Sequence, residues 1–102
     1  MAGVETTRTE RFKSFQQEVG FVLTYLLSRG FSWSPEYEVF VPPESANIVY
    51  IVETTTYAMF LCGAAHARGQ DAGFQLRELE DLRDTIMRTA RKFAKDRMKS
   101  YQ

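Results

Sequence analysis

Apolar positions between residues 12 and 26 follow a helical rhythm. Phe12, Phe15, Val19, Val22 and Leu26 recur at steps of 3, 4, 3 and 4, which places them on one helix face. Thr7 and Glu10 have the spacing of a capping box, and Gly30 follows Ser28 and Arg29 where a left-handed terminating residue belongs. The pattern predicts a first helix over residues 8–29. Phe21, Leu23, Tyr25 and Leu27 make its second half apolar on more than one side, as suits a deep core position or an interface.

The rhythm then shortens. In "FSWSPEYEVFVPPESANIVYIVE", Pro35, Pro42 and Pro43 interrupt any helix. Tyr37, Val39 and Val41 alternate with Glu36, Glu38 and Phe40, the signature of a half-exposed strand. "NIVYIVE" is β-branched, aromatic and apolar on both faces, which reads as a more buried strand. A β-hairpin over 36–41 and 48–53 follows, with "PPESA" as its turn. The competing reading is one helix from Pro43 to Arg68, with proline at its first position; the β-branched density weighs against it.

Helical spacing returns at Thr54. Tyr57, Leu61, Ala64 and Ala65 share a side, Thr54 suits a cap and Gly69 a terminus, so a second helix is predicted over 55–68. "GQDAG" is a turn. Leu76, Leu79, Leu82, Ile86, Ala90 and Phe93, extended by Met98, form the stripe of a third helix that fills the rest of the chain. The expected fold is α+β: an N-terminal helix, a β-hairpin, and two C-terminal helices packed on one face of the small sheet. An all-α three-helix domain is the alternative. With 102 residues this is one domain, 1–102, whose residues 1–7 are expected to be disordered.

Composition narrows the function classes. Lys+Arg and Asp+Glu both number 13, so no net charge draws the chain toward nucleic acid or an anionic membrane. A single Cys makes no internal disulfide, which fits a reducing cytoplasm. "MAGVETTRTERFKSF" has no apolar core of a secretory signal, and the run around "VGFVLTYLLS" falls far short of a membrane span. A cytoplasmic location without membrane association is therefore expected. The aromatic load (8 Phe, 5 Tyr and 1 Trp) is high for the length, which makes self-association, with a homodimer as its simplest form, an expectation.

Cys62 and His66 lie four apart, within touching distance on a helix. A nucleophilic thiolate needs a base, a cause for a lowered pKa and an oxyanion donor. Near a helix C-terminus the dipole opposes a thiolate, and no second His or Cys completes a metal site. Cys62 reads as a small buried residue among Ala58, Gly63, Ala64 and Ala65. His66 reads as a solvated or capping residue near the helix end. There is no phosphate loop, and the paired carboxylates Glu36 with Glu38 and Glu78 with Asp81 suit exposed faces. The chain reads as a non-enzyme without metal or cofactor.

Two surfaces are candidates for binding. Trp33, Tyr37 and Phe40, with Glu36 and Glu38 beside them, are candidate anchors for a protein partner, since aromatics dominate interface hot spots. Arg88, Lys92, Lys95 and Lys99 line one face of the third helix at steps of 4, 3 and 4, a stripe suited to a phosphate backbone or an acidic partner. Its simpler reading is dipole compensation, because Glu78, Glu80, Asp81 and Asp84 come early and the bases late.

"VYIVETTTYAMFLCGAAHARGQ" resembles a pattern in short accessory proteins of tailed phages and prophages. In these a Tyr-ended strand enters a helix through Thr and large aromatics precede "AA". Tyr50, Thr54, Phe60, Ala64 and Ala65 match. The resemblance covers about residues 49–70. It implies an accessory protein in the host cytoplasm, and for some members blockade of a host defence protein by occupying its surface. The expected function is a non-catalytic protein-binding module, with a small nucleic-acid-binding regulator as the alternative.

Overall fold

A computed structural model describes residues 16–71, 73 and 77–100 of the chain, the last three without their side chains. Helix α1 covers residues 16–28. A two-stranded antiparallel hairpin follows, β1 at Ser32–Ser34 and β2 at Val39–Val41, then helix α2 at Ile48–Asp71 and helix α3 at Arg77–Ser100. The α+β arrangement expected from the sequence is present, with the helices on one side of the hairpin. The proposed cap at Thr7 and Glu10, the apolar positions Phe12, Phe15 and Leu76, and the expected disorder of 1–7 lie outside the described residues. So do the side chains of Met98 and Lys99.

The end of α1 is a complete Schellman motif. The Phe31 N–H donates to the Leu26 carbonyl at 3.1 Å and the Gly30 N–H to the Leu27 carbonyl at 3.0 Å. Gly30 sits at φ 88°, and both Leu26 and Phe31 are buried, so the apolar contact that accompanies the motif is made. A Cβ on Gly30 would lie 3.3 Å from Pro43 Cγ as well as forcing a left-handed side chain. Gly30→Ala is therefore expected to cost about 1–2 kcal/mol, read as a lower midpoint in urea with an unchanged slope.

The hairpin is shorter and earlier than predicted. Ser32 pairs with Val41, Trp33 with Phe40 and Ser34 with Val39. Residues 36–38 belong to the connecting turn, closed by the Glu38 N–H on the Ser34 carbonyl at 2.8 Å, with Glu38 itself left-handed at φ 52°. The strand predicted at 48–53 is instead the first part of α2, so the continuous-helix reading was the better one there. Its cap is Asn47, neither Pro43 nor Thr54: Asn47 Oδ1 accepts the Tyr50 N–H at 2.8 Å. α2 also runs past Gly69 to Asp71, and Gly73 takes the left-handed position at φ 83°.

Tertiary contacts outweigh the strand propensity of "IVYIV". Ile51, Thr54, Thr55, Ala58, Cys62 and Ala65 recur at helical spacing and are all buried. Thr55 satisfies its hydroxyl within the helix by donating to the Ile51 carbonyl at 2.7 Å. Of these, Ala58, Cys62 and Ala65 join Val22 and Leu26 of α1, Phe31, Phe40 of β2, and Leu79 and Ile86 of α3 in one core. α1 runs antiparallel along one flank of α2: Glu18 pairs with Arg68 at one end, Tyr25 meets Tyr57 edge-on at 5.0 Å, and Tyr50 donates to the Arg29 carbonyl at the other. α3 covers the opposite flank, where His66 meets Glu80 at 3.1 Å. Arg97 donates to the Glu44 carbonyl and ties the far part of α3 to the loop before α2.

As one uninterrupted helix, α2 is a longer apolar stretch than the run around "VGFVLTYLLS". It is long and apolar enough to cross a membrane by length and composition, and about a third of its most apolar stretch is buried in the fold. A helix with that composition is apolar all round, yet the core covers only one of its faces.

Candidate protein-binding face

The hairpin is held against α3 by its outer edge. Phe40 donates its backbone N–H to Thr89 Oγ1 at 3.0 Å, and Thr89 passes its own proton to the Thr85 carbonyl at 3.1 Å. An edge strand with a free N–H row is a liability, and here α3 covers it. Phe40 lies in the core at 4% exposure, and its cross-strand partner Trp33, on the same face, stands at the rim, 47% exposed and edge-on to Phe40 at 5.1 Å. Phe40 is thus a core residue and not a surface anchor, which corrects the sequence reading.

Tyr37 projects from the turn at 59% exposure, and the Lys92 ammonium lies 4.1 Å from its ring centroid. Glu36 and Glu38 are exposed in the same turn. Beside them an open cleft is lined by Trp33 and Glu38 from the hairpin and by Asp81, Asp84, Thr85 and Arg88 from α3. Arg88 Nη2 donates to Thr85 Oγ1 at 3.2 Å, and Thr85 donates to the Asp81 carbonyl at 2.9 Å. The two surfaces predicted separately are therefore one. The hairpin tip leans over the outer face of α3, and Trp33, Tyr37, Arg88 and Lys92 share a single patch.

Merging them alters the basic stripe. Lys92 is occupied by an aromatic ring, Arg88 stands among three carboxylates, and Lys95 is exposed further along. Lys99 falls outside the described side chains. The patch presents both signs of charge around two aromatics, unlike the one-sign groove that follows a phosphate backbone. Asp81, Asp84 and Thr85 were not predicted as members. The signal for them was the i, i+3, i+4 and i+7 spacing of Asp81, Asp84, Thr85 and Arg88, legible only once the hairpin is known to lie there.

Cys62 and His66 are separated by environment. Cys62 is buried, and burial pushes its thiol up from the usual 9.0 to about 11, with the Arg83 guanidinium pulling weakly the other way. His66 faces outward to Glu80. Among the described residues no group of three or more His, Cys, Asp or Glu side chains is placed to hold a metal ion. A two-unit rise leaves roughly 100-fold less thiolate at neutral pH, so native Cys62 is expected to react at least that much more slowly with an aromatic disulfide reagent than the denatured chain does. The proton is held longer in the folded state. Its contribution to stability is complete below pH 9.0 and falls away as pH rises toward about 11. Comparing alkaline unfolding of the native chain with Cys62→Ala isolates that loss.

No family model, curated protein or solved structure matches the chain.

Proposed function

We propose that this chain is a non-catalytic protein-binding module that acts by covering a surface of its partner. The observation that carries the reading is the pair Trp33 and Tyr37, exposed on a braced hairpin beside a cleft with carboxylates and Arg88. Exposed aromatics on a rigid support make efficient anchors because little side-chain freedom is lost on docking. The mixed rim supplies orientation and rejects wrong partners. The likeness to phage accessory proteins makes a host-cell protein in the cytoplasm the natural partner, and inhibition by occlusion the natural outcome. Nucleic acid along Arg88, Lys92, Lys95 and Lys99 is the weaker proposal, because Lys92 is already engaged and acids interrupt the face.

The test is capture from host lysate with the tagged chain, with and without nuclease, beside a Trp33→Ala/Tyr37→Ala variant. Trp33 is 47% and Tyr37 59% exposed, so the fold is expected to survive. A protein retained after nuclease and lost with the double substitution supports the reading. Retention that vanishes with nuclease moves the site to the basic face of α3. Retention indifferent to both treatments removes the hairpin from binding.

A further inference from the structure

We infer that the outer face of α2 is the contact surface of a two-fold homodimer, in which the α2 helices of two copies pack antiparallel. The face opposite the core carries Val49, Val52, Tyr57, Phe60, Gly63 and Ala67, spaced to lie together along the helix. Phe60 is 67% exposed and Val49 58%, and neither flanking helix reaches them. Phe21 of α1 is also exposed and lies between the Glu18–Arg68 and Tyr25–Tyr57 contacts, so it extends the patch beside Phe60. Glu53 is the one charge along this stretch; it lies within the face, between Phe60 and Tyr57 around the helix, with Thr56 on the other side of Phe60.

Three features point to a second copy as the occupant. The first is area. The exposed parts of these side chains amount to on the order of 500 Å² of apolar surface, near the largest patch a monomer carries. With a polar rim this reaches the roughly 600 Å² per partner at which specific dimers begin. The second is shape. The bulky residues Val49 and Val52 occupy the first half of the face, the small residues Gly63 and Ala67 the second half, and the aromatics Tyr57 and Phe60 the middle. Antiparallel pairing centred at Ala58 sets Val49 level with Ala67 and, to within about one residue of rise, Val52 against Gly63 and Tyr57 against the second copy's Phe60. Parallel pairing would put valine on valine and leave a gap at the glycine. The third is electrostatic: antiparallel helices place each N-terminus beside the other's C-terminus. The hairpin and the outer face of α3 lie off this surface, so a dimer would carry the proposed binding face twice. The dimer does not depend on that function: Trp33 and Tyr37 lie off the α2 face, so Trp33→Ala/Tyr37→Ala is expected to leave the sedimenting mass that of the parent dimer.

Sedimentation equilibrium across the micromolar range reads the association directly. The full chain is expected to approach twice its monomer mass. Phe60→Glu, a surface substitution, is expected to weaken association by roughly 100-fold or more while keeping the helical circular dichroism signal. Register is tested with Phe60 in place. An added Cβ at Gly63 meets nothing within 4 Å, so Gly63→Cys is tolerated. A mixture of Val52→Cys and Gly63→Cys chains should form the mixed disulfide in preference to either self-pair. A chain monomeric throughout overturns the proposal, as does a Phe60→Glu dimer as tight as the parent. Preferential self-pairing of Gly63→Cys overturns the antiparallel register. Monomer in solution that co-sediments with neutral phosphatidylcholine vesicles assigns the face to lipid instead.

Discussion

Ile86→Ala should lower stability by roughly 2–5 kcal/mol, the range for truncating a fully buried aliphatic side chain. Ile86 is wholly inaccessible at the middle of α3, in the core shared with Leu26, Phe40, Ala58 and Cys62. These core residues come from three elements, α1, β2 and α2, so no one of them can shift into the void without disturbing the others. A chain of about this size has only some 5–15 kcal/mol to lose, and each kcal/mol moves the melting temperature by about 4–8 °C. A fall of about 10 °C or more is therefore expected in a thermal scan. A drop below about 1 kcal/mol would mean that α3 is less firmly docked than its contacts with α2 and β2 indicate.

Thr89→Val should cost roughly 1–3 kcal/mol although it preserves volume. The loss is the acceptor for the buried Phe40 N–H, which has no other partner on that side of the hairpin. Two comparisons separate hydrogen bonding from packing. Thr89→Ser keeps the hydroxyl and removes a methyl group, so it should cost less than the valine; the reverse order would assign the effect to packing. Thr54→Val should act in the opposite direction, because Thr54 Oγ1 is buried without a hydrogen-bond partner among the described residues, and removing it should be neutral or stabilising by up to about 1 kcal/mol. The consequence for binding is local. Without Thr89 the hairpin is no longer pinned to α3, so faster amide exchange at Phe40 and a shift in the emission of Trp33, the chain's single tryptophan, are expected.

Where apolar spacing and chain termination agreed, the sequence was sufficient. Leu26, Arg29, Gly30 and Phe31 spell out the end of α1 locally, because a Schellman motif is built from neighbours and a glycine. The stripe of α3 was equally legible, since a strongly two-sided helix needs no knowledge of its partner. The burial of Cys62 followed from its small apolar neighbours and is present in the fold.

Residues 48–53 show what local pattern leaves open. An apolar, β-branched run has no periodicity to distinguish strand from helix, and propensity differences of a few tenths of a kcal/mol per residue yield to packing. Burial of Ile51, Thr54, Thr55 and Ala58 against α1 and α3, with Asn47 as cap, decided for helix. The same decision created the apolar outer face of α2, which as a strand would have had no such geometry. The candidate face was decided in the same way: Thr89 and Phe40 are 49 residues apart, and their bond brings the exposed aromatics of the hairpin over the charges of α3. The sequence by itself determined which segments are amphipathic and where the chain turns, because those depend on neighbours along the chain. Only the tertiary structure decided which aromatics remain outside and which charges they stand beside, because those depend on contacts between segments far apart in sequence.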